Sequence, residues 1–227
     1  MRGKSMRHDF GHGEVAAYKW VNADGRSGGI VAESATVADS ASIGDEATIG
    51  EDGIIGDGAS IGEGASIGPD AIIGDEATIG YRASIGDRAT IGAYACIGYR
   101  VSIGDEATIG DGAIIGYRAS IGYRVVLGDG ASIGDGAAIA ADDWYISGGP
   151  CGSRGATWTA VHSREHGLRW WIGCQCGIST DALLERVQAE HGDNDHARAY
   201  RHAVRYVTTH PEYLRRVAAQ AEQENGK

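Results

Sequence analysis

With 227 residues, 42% of them hydrophobic and 22% charged, the chain has room for one or two domains and a sizeable core. No run of eighteen apolar residues occurs and the first residues lack the apolar core of a signal peptide, so the chain reads as soluble and cytoplasmic, with no membrane partner. The net charge of −11 sits in the middle, where residues 30–142 carry 18 acidic and 5 basic side chains, and so acidic a body repels the phosphates of DNA and RNA.

Residues 1–29 form the first segment. They are polar apart from Val15–Val21, which includes Tyr18 and Trp20. Glu14–Asn22 reads as a strand or cap over the segment after it, with Met1–His12 expected to be mobile. From Val31 to Ile139 an aliphatic residue then returns at every sixth position without a slip. Gly follows each anchor from Ile43 to Ile133, and Ala, Gly or Val stands four places after it. A period of six fits neither a helix face nor the alternation of an ordinary strand, and is that of a parallel β-helix. Each hexad supplies a short strand and a corner. Three hexads close a triangular coil, so residues eighteen apart stack. Eighteen hexads make six coils, about 29 Å long at the usual ~4.8 Å strand spacing. The glycine beside each anchor is expected to relieve crowding where the chain bends.

These anchors, with Gly next and a small residue four places on, resemble the [LIV]-[GAED]-x-x-[STAV]-x signature of the left-handed hexapeptide-repeat family. The resemblance covers about half the chain. It implies a left-handed β-helix, against the usual right hand of parallel crossovers, and a homotrimer. The fold class expected is therefore mainly β: a six-coil left-handed parallel β-helix over residues 30–142, followed by a small α+β domain over residues 143–227.

Many members of that family are acyltransferases that use a histidine on a coil or an inserted loop, and a few hold zinc between histidines of adjacent subunits. All eight histidines here (His8, His12, His162, His166, His191, His196, His202 and His210) lie outside residues 30–142, and no loop interrupts the hexads. Neither site is expected in its usual place. No catalytic residue, metal or cofactor is assigned, and an acyltransferase using the C-terminal domain stays the enzymatic alternative.

Outward residues at the corners stack in columns. One column runs Asp45-Glu46, Glu63-Gly64, Tyr81-Arg82, Tyr99-Arg100, Tyr117-Arg118 and Asp135-Gly136, which places three Tyr-Arg pairs in register. Stacked arginines repel unless an anion or an aromatic ring lies among them. The plainer reading is a trimer interface, with the arginines meeting acidic corners such as Asp57, Asp75-Glu76 or Asp111 of a neighbour. The sharper reading is a cleft between subunits for an anionic small molecule, for example a nucleotide. A second column, with Arg88, Glu106 and Arg124 in succession, compensates itself. Thr48, Ser66, Ser84, Ser102 and Ser120 form a column of small hydroxyls that close packing or a corner explains better than an ice-binding surface.

After Ala140 the repeat stops and the composition changes, with four of the five Trp between Trp144 and Trp171. Ala156–His162 and Leu168–Ile172 read as strands joined by a hairpin-length turn, with Trp144–Ile146 as a third. Ser179 or Thr180 caps a helix ending at His191-Gly192, Asp193 or Asn194 caps a second, and Pro211 opens a short third helix through Leu214 and Val217, with a fraying tail from Gln220. Four cysteines are too few for a disulfide framework. Cys174 and Cys176, with Cys151, His162 or His166, give only a weak zinc pattern, so buried free thiols are the simpler reading. The loop Gly149–Gly155, with Ser153 and Arg154, could cradle a phosphate but lacks a Walker pattern, and turn chemistry explains it equally. His191, Asp193, Asn194 and His196 sit at a helix start, where capping accounts for them. Trp170-Trp171 puts one ring on each face of a strand, one for the core and one open to stacking.

Gly149-Pro150-Cys151-Gly152-Ser153-Arg154, Gly173-Cys174 and the run from His191 to Arg201 are similar to an uncharacterised C-terminal module of phage and prophage reading frames. Cys176 departs from that module. The resemblance brings no activity, but implies a phage setting in a bacterial host. Together these readings lead to a non-enzymatic homotrimer that sequesters an anionic small molecule, such as a nucleotide immune signal. Its expected contacts are Tyr81, Arg82, Tyr99, Arg100, Tyr117, Arg118, Arg154 and Trp171. The alternatives are a divergent acyltransferase and a purely structural scaffold.

Overall fold

The structure, a computed structural model, describes residues 2–151, 156–172 and 175–225. Its contacts divide it into two compact units, Met1–Ala131 and Ser132–Lys227. The architecture is mainly β, a left-handed solenoid of about six turns together with a small antiparallel sheet and three helices.

In the first unit every hexad from Thr36 onward contributes a two-residue strand whose first residue faces out and whose second, the anchor, faces in. Strands pair in parallel with those eighteen residues away, Ser84↔Ser102 and Ile85↔Ile103 for instance, and so build three sheets around one core. The anchors are buried throughout except Val37, which is half-buried in the first coil. The small residue four places on, such as Ala83, Ala89 or Val101, is buried too, because the tight corner has room for little more than an alanine or valine side chain.

The glycines serve a purpose other than the expected one. From Ile43 onward the bend falls two and three residues after each anchor, and the third position carries the positive φ. Glu46, Asp52, Asp70, Glu76, Arg82, Arg88, Tyr94, Arg100, Glu106, Arg118 and Arg124 all adopt φ between 53° and 58° there. That conformation costs a non-glycine residue roughly 1–2 kcal/mol. The glycine beside the anchor is needed for the approach of the next coil. A Cβ on Gly80 would stand 2.6 Å from the carbonyl carbon of Gly98 and 2.8 Å from the nitrogen of Tyr99, distances that no packed methyl group tolerates.

The N-terminal segment corrects a second expectation. Arg2–Asp9 is a strand, paired antiparallel with Glu14–Val21, which in turn pairs antiparallel with Ser27–Ala32 of the first coil. The turn between the first two is fastened by the Asp9 carboxylate, which accepts from the Gly11 and Gly13 amides at 2.8 and 2.9 Å. Those bonds hold its pKa below the usual carboxylate value. Asn22 supplies the pairing that the first coil's edge would otherwise lack. Its amide donates to the Ile43 carbonyl (2.9 Å) and accepts from the Ile43 N–H (2.8 Å), while the buried Trp20 indole donates to Asn22 at 3.1 Å. Edge backbone groups left unpaired invite association, so this cap answers a standing liability of the fold.

The second unit begins with the hexad strands Ser132–Ile133 and Ala138–Ile139. A four-stranded antiparallel sheet follows, in the order Trp144–Cys151, Ala156–Ser163, Gly167–Ile172 and Gln175–Ile178. The fourth strand is absent from the sequence pattern, and Gly149–Cys151 belongs to the first strand instead of to a loop. Helices α1 (Thr180–His191), α2 (Asp195–Thr208) and α3 (Pro211–Asn225) complete the unit. Ser179 caps α1 by accepting from the Ala182 amide, Gly192 ends it at φ 55°, and Asn194 caps α2 by accepting from the Ala197 amide. Helix α3 continues past Gln220, in place of the expected fraying. Trp158, Trp170, Leu183, Val187, Ala203, Val204 and Val207 form the core, with the Trp170 indole donating to Thr180 Oγ1 at 3.0 Å. On the other sheet face the buried Thr159 hydroxyl accepts from the Gly134 amide at 3.0 Å, beside Trp171.

The packing yields a stability test. Gly80→Ala should destabilise the protein by about 1–3 kcal/mol, through forced separation of two coils. Gly128→Ala, whose added methyl group meets nothing within 4 Å, should stay within about 0.5 kcal/mol of the parent in the same thermal or urea unfolding experiment.

Candidate functional site

The corner geometry sets the stage for the Tyr-Arg column. Tyr81 and Arg82 occupy the two central positions of a turn closed by the Ala83 amide on the Gly80 carbonyl (3.2 Å). The Arg100 amide donates to the Tyr81 carbonyl (2.9 Å) and the Arg118 amide to the Tyr99 carbonyl (3.0 Å), which locks the three corners in register. The Tyr81 and Tyr99 rings meet edge to face at 6.4 Å. The Arg82 guanidinium lies 5.0 Å from the centre of the Tyr81 ring, and that of Arg118 lies 5.1 Å from Tyr117. Arg82, Arg100 and Arg118 are exposed, and Tyr99 is 62% exposed. Among the described residues none of these three guanidiniums forms an ion pair. The structure thus brings together six of the expected contacts on one edge of the first unit.

The second column behaves as its sequence implies. Glu106 stands between Arg88 (3.8 Å) and Arg124 (2.6 Å), and Arg124 also stacks on Tyr123 at 4.8 Å. The hydrogen bond from Arg124, with the charges of both arginines, holds the Glu106 carboxyl below its ordinary value. One column neutralises its charge; the other leaves it open.

The remaining two expected contacts fare differently. Arg154 lies outside the described residues. Trp171 is a correction: it is 9% exposed, packed beside Gly134 and Gly177, and so offers no open face for stacking. Cys174 and the side chains of Cys151 and Cys176 also lie outside the described residues, among which no group of three His, Cys, Asp or Glu side chains could hold a metal. Near the start of α2, Asn194 is the cap, Asp193 pairs with Arg201 at 3.0 Å, and His191 stacks on Tyr200 at 5.8 Å. Among the described residues no helix is long and apolar enough to cross a membrane.

Two placements are missed by the sequence reading. His12, at the tip of the N-terminal hairpin, has its Nε2 3.4 Å from an Asp87 carboxylate oxygen, so a histidine does reach the solenoid surface. The signal for it is the polar turn itself, Asp9 with two glycines, which makes a hairpin out of a segment whose composition alone suggests a mobile tail. In the second unit His162 is 7% exposed and meets Tyr213 edge-on at 5.4 Å. Burial pushes the His162 imidazole below its ordinary value, the charge of Arg216 adds to that effect, and Asp143 opposes it.

Residues 52–85 and 82–117 match the family model of the bacterial transferase hexapeptide (six repeats), and residues 107–141 match that of the hexapeptide repeat of succinyl-transferase. Residues 52–141 are hexapeptide repeats. No curated protein matches the chain in sequence. Solved structures similar to it include the acetyltransferase domain of PglB from Neisseria gonorrhoeae in complex with acetyl coenzyme A. That structure shares 23% identity and a TM-score of 0.34, with 49% of this chain and 54% of that chain covered. A hexapeptide transferase family protein from Anaplasma phagocytophilum shares 20% identity over 53% of this chain and 74% of that one, with a TM-score of 0.30. A perosamine N-acetyltransferase variant from Caulobacter crescentus, in complex with CoA and GDP-perosamine, shares 25% over 51% and 53%, with a TM-score of 0.22. The chain spans about half the length of the acetyltransferase domain it matches.

The setting of His162 makes a pH prediction. Its folded pKa lies below the ordinary 6.5, so the unfolded chain takes up this proton first on acidification. The stability associated with neutral His162 is full above pH 6.5 and is lost as pH falls through the lowered folded value. Following the imidazole signals by NMR should give a His162 midpoint below 6.5, and His162→Gln should flatten this part of the acid limb of the stability curve.

Proposed function

We propose that the chain is a non-enzymatic binding protein that assembles as a homotrimer and captures an anionic small molecule along the Tyr-Arg edge, at boundaries between copies. The supporting observation is the register of three Tyr-Arg pairs whose exposed guanidiniums lack ion-pair partners among the described residues, on an otherwise acidic solenoid. Like charges one strand spacing apart raise the energy of the empty edge, and an anion placed among them lowers it. Arg82, Arg100 and Arg118 hold the charge, and Tyr81, Tyr99 and Tyr117 offer ring faces for stacking. Phosphate with a planar base matches that pairing, so the ligand class is a nucleotide. In its narrowest form the protein is phage-encoded and cytoplasmic and sequesters a nucleotide signal of host defence. That form rests on the C-terminal resemblance.

A second reading is acyl transfer. It is favoured by the His12–Asp87 contact, since a histidine held by a carboxylate is a competent general base. It predicts that a coenzyme A thioester is consumed and that His12→Ala abolishes the turnover.

Native mass spectrometry of gently purified protein, before and after incubation in nucleotide-rich cell extract, separates these readings. A mass near three chains with discrete small additions, lost on denaturation, is the expected result. Arg100→Glu should keep the trimer and lose the additions. An Arg100→Glu trimer that still captured the ligand would reduce the column to a structural role, and a trimer broken by the substitution would make it the subunit interface.

A further inference from the structure

We propose that a cleft in the second unit, lined by Asp142, His162, Arg164, Arg216 and Gln220, binds a small oxyanion carried on a phosphate or a carboxylate group. This site is separate from the Tyr-Arg edge and does not depend on it.

The cleft has a volume of about 270 Å³, enough for a small metabolite and too little for a dinucleotide. Its buried polar side chain is His162, on the strand Ala156–Ser163 opposite Trp144. The residue is more than nine-tenths buried, yet neither ring nitrogen hydrogen-bonds to a described protein group. Every fully enclosed side-chain nitrogen or oxygen among the described residues has a partner, so the unbonded imidazole nitrogens each keep some exposed surface, and His162 lines the cleft. An imidazole held in that way donates or accepts one hydrogen bond to whatever enters.

Arg216, from α3, is oriented from two sides. Its Nε meets a Glu212 carboxylate oxygen at 3.0 Å and one Nη donates to the Asp142 carbonyl at 2.9 Å, which leaves the other Nη without a protein partner among the described residues. Glu212 is shared with Arg215 at 2.6 Å, so one carboxylate serves two guanidiniums. Arg164 stands in the turn after the same strand. The Gln220 side chain donates to its carbonyl at 3.3 Å and ties the turn to α3, while the exposed Arg164 guanidinium has no ion-pair partner among the described residues. Two cations, one of them fixed in advance, and an open imidazole converge on a concave surface. That is the donor set an oxyanion requires, and fixing it beforehand reduces the entropy lost on binding. Asp142 on the wall sets a selectivity. It opposes a second negative charge and favours a ligand with a hydroxyl or ammonium group beside its anion.

The experiment uses the full chain, isotopically labelled, with the His162 imidazole signals followed by NMR during additions of inorganic phosphate, acetate and, as the control for ionic strength, chloride. Saturable shifts with phosphate alone assign a phosphoryl ligand, with acetate alone a carboxylate, and with both the shared oxyanion chemistry. Arg164→Gln, a surface change expected to leave the thermal midpoint in place, should weaken binding about tenfold, the loss of one charge-assisted hydrogen bond. Arg100→Glu should leave it unchanged, which keeps this site distinguishable from the solenoid edge. His162 shifts no larger than those with chloride, or equal affinity in Arg164→Gln, would overturn the proposal.

Discussion

Everything in the first unit depends on how closely one coil may lie on the next. The glycine after each anchor lets backbone meet backbone, with space for no side chain between Gly80 and Gly98. That contact fixes an eighteen-residue register, and the register removes any choice about neighbours. Each outward residue must stand beside the residues eighteen before and after it. A globular protein can scatter its surface charges, but a solenoid with this contact stacks them. Charge on such a surface is therefore arranged in columns whether or not the arrangement is useful.

The two columns that carry arginine show how differently that constraint can be met. Between Arg88 and Arg124 the chain places Glu106, whose carboxylate reaches both, and the column closes on itself without help. At Arg82, Arg100 and Arg118 the same positions repeat one sign, and tyrosine rings are the neighbours that soften the repulsion. Rings offset only part of a full charge. The two columns share a backbone, a turn type and a positive φ at each arginine, so the difference lies in side-chain chemistry alone. This internal comparison is what motivates the proposal that the open column is a binding edge.

The solenoid was legible because its code is local: one anchor, one glycine and one small residue per hexad specify both the strand and the corner. The ends of α1 and α2 were legible for a similar reason, since Ser179, Gly192 and Asn194 each act on backbone groups a few residues away. What escaped the sequence depends on pairing. Arg2–Asp9 has no strand pattern of its own and becomes a strand because Glu14–Val21 offers it an edge. Gln175–Ile178 is a strand by virtue of Gly167–Ile172 beside it. Trp171 reads as half of an alternating pair with one face to spare, yet the sheet face it occupies is packed against Gly134. The left-handed conformation of Arg100 was hidden as well, since propensity assigns that position to glycine or asparagine.

A residue of unfavourable conformation kept at a corner has a structural consequence that bears on function. Glycine would satisfy the backbone at the third position after each anchor, and it stands there at Gly58, Gly64, Gly112 and Gly130. Where a side chain replaces it, the strain is in some corners offset by what that side chain touches. For Glu106 the offset is visible as two arginine contacts. For Arg82 and Arg118 it is in part the stacked tyrosine. For Arg100, exposed and without an ion-pair partner among the described residues, the isolated chain shows no equivalent. Arg100 occupies the middle of the three stacked corners, and under the proposed function an anion held by Arg82 and Arg118 meets it there.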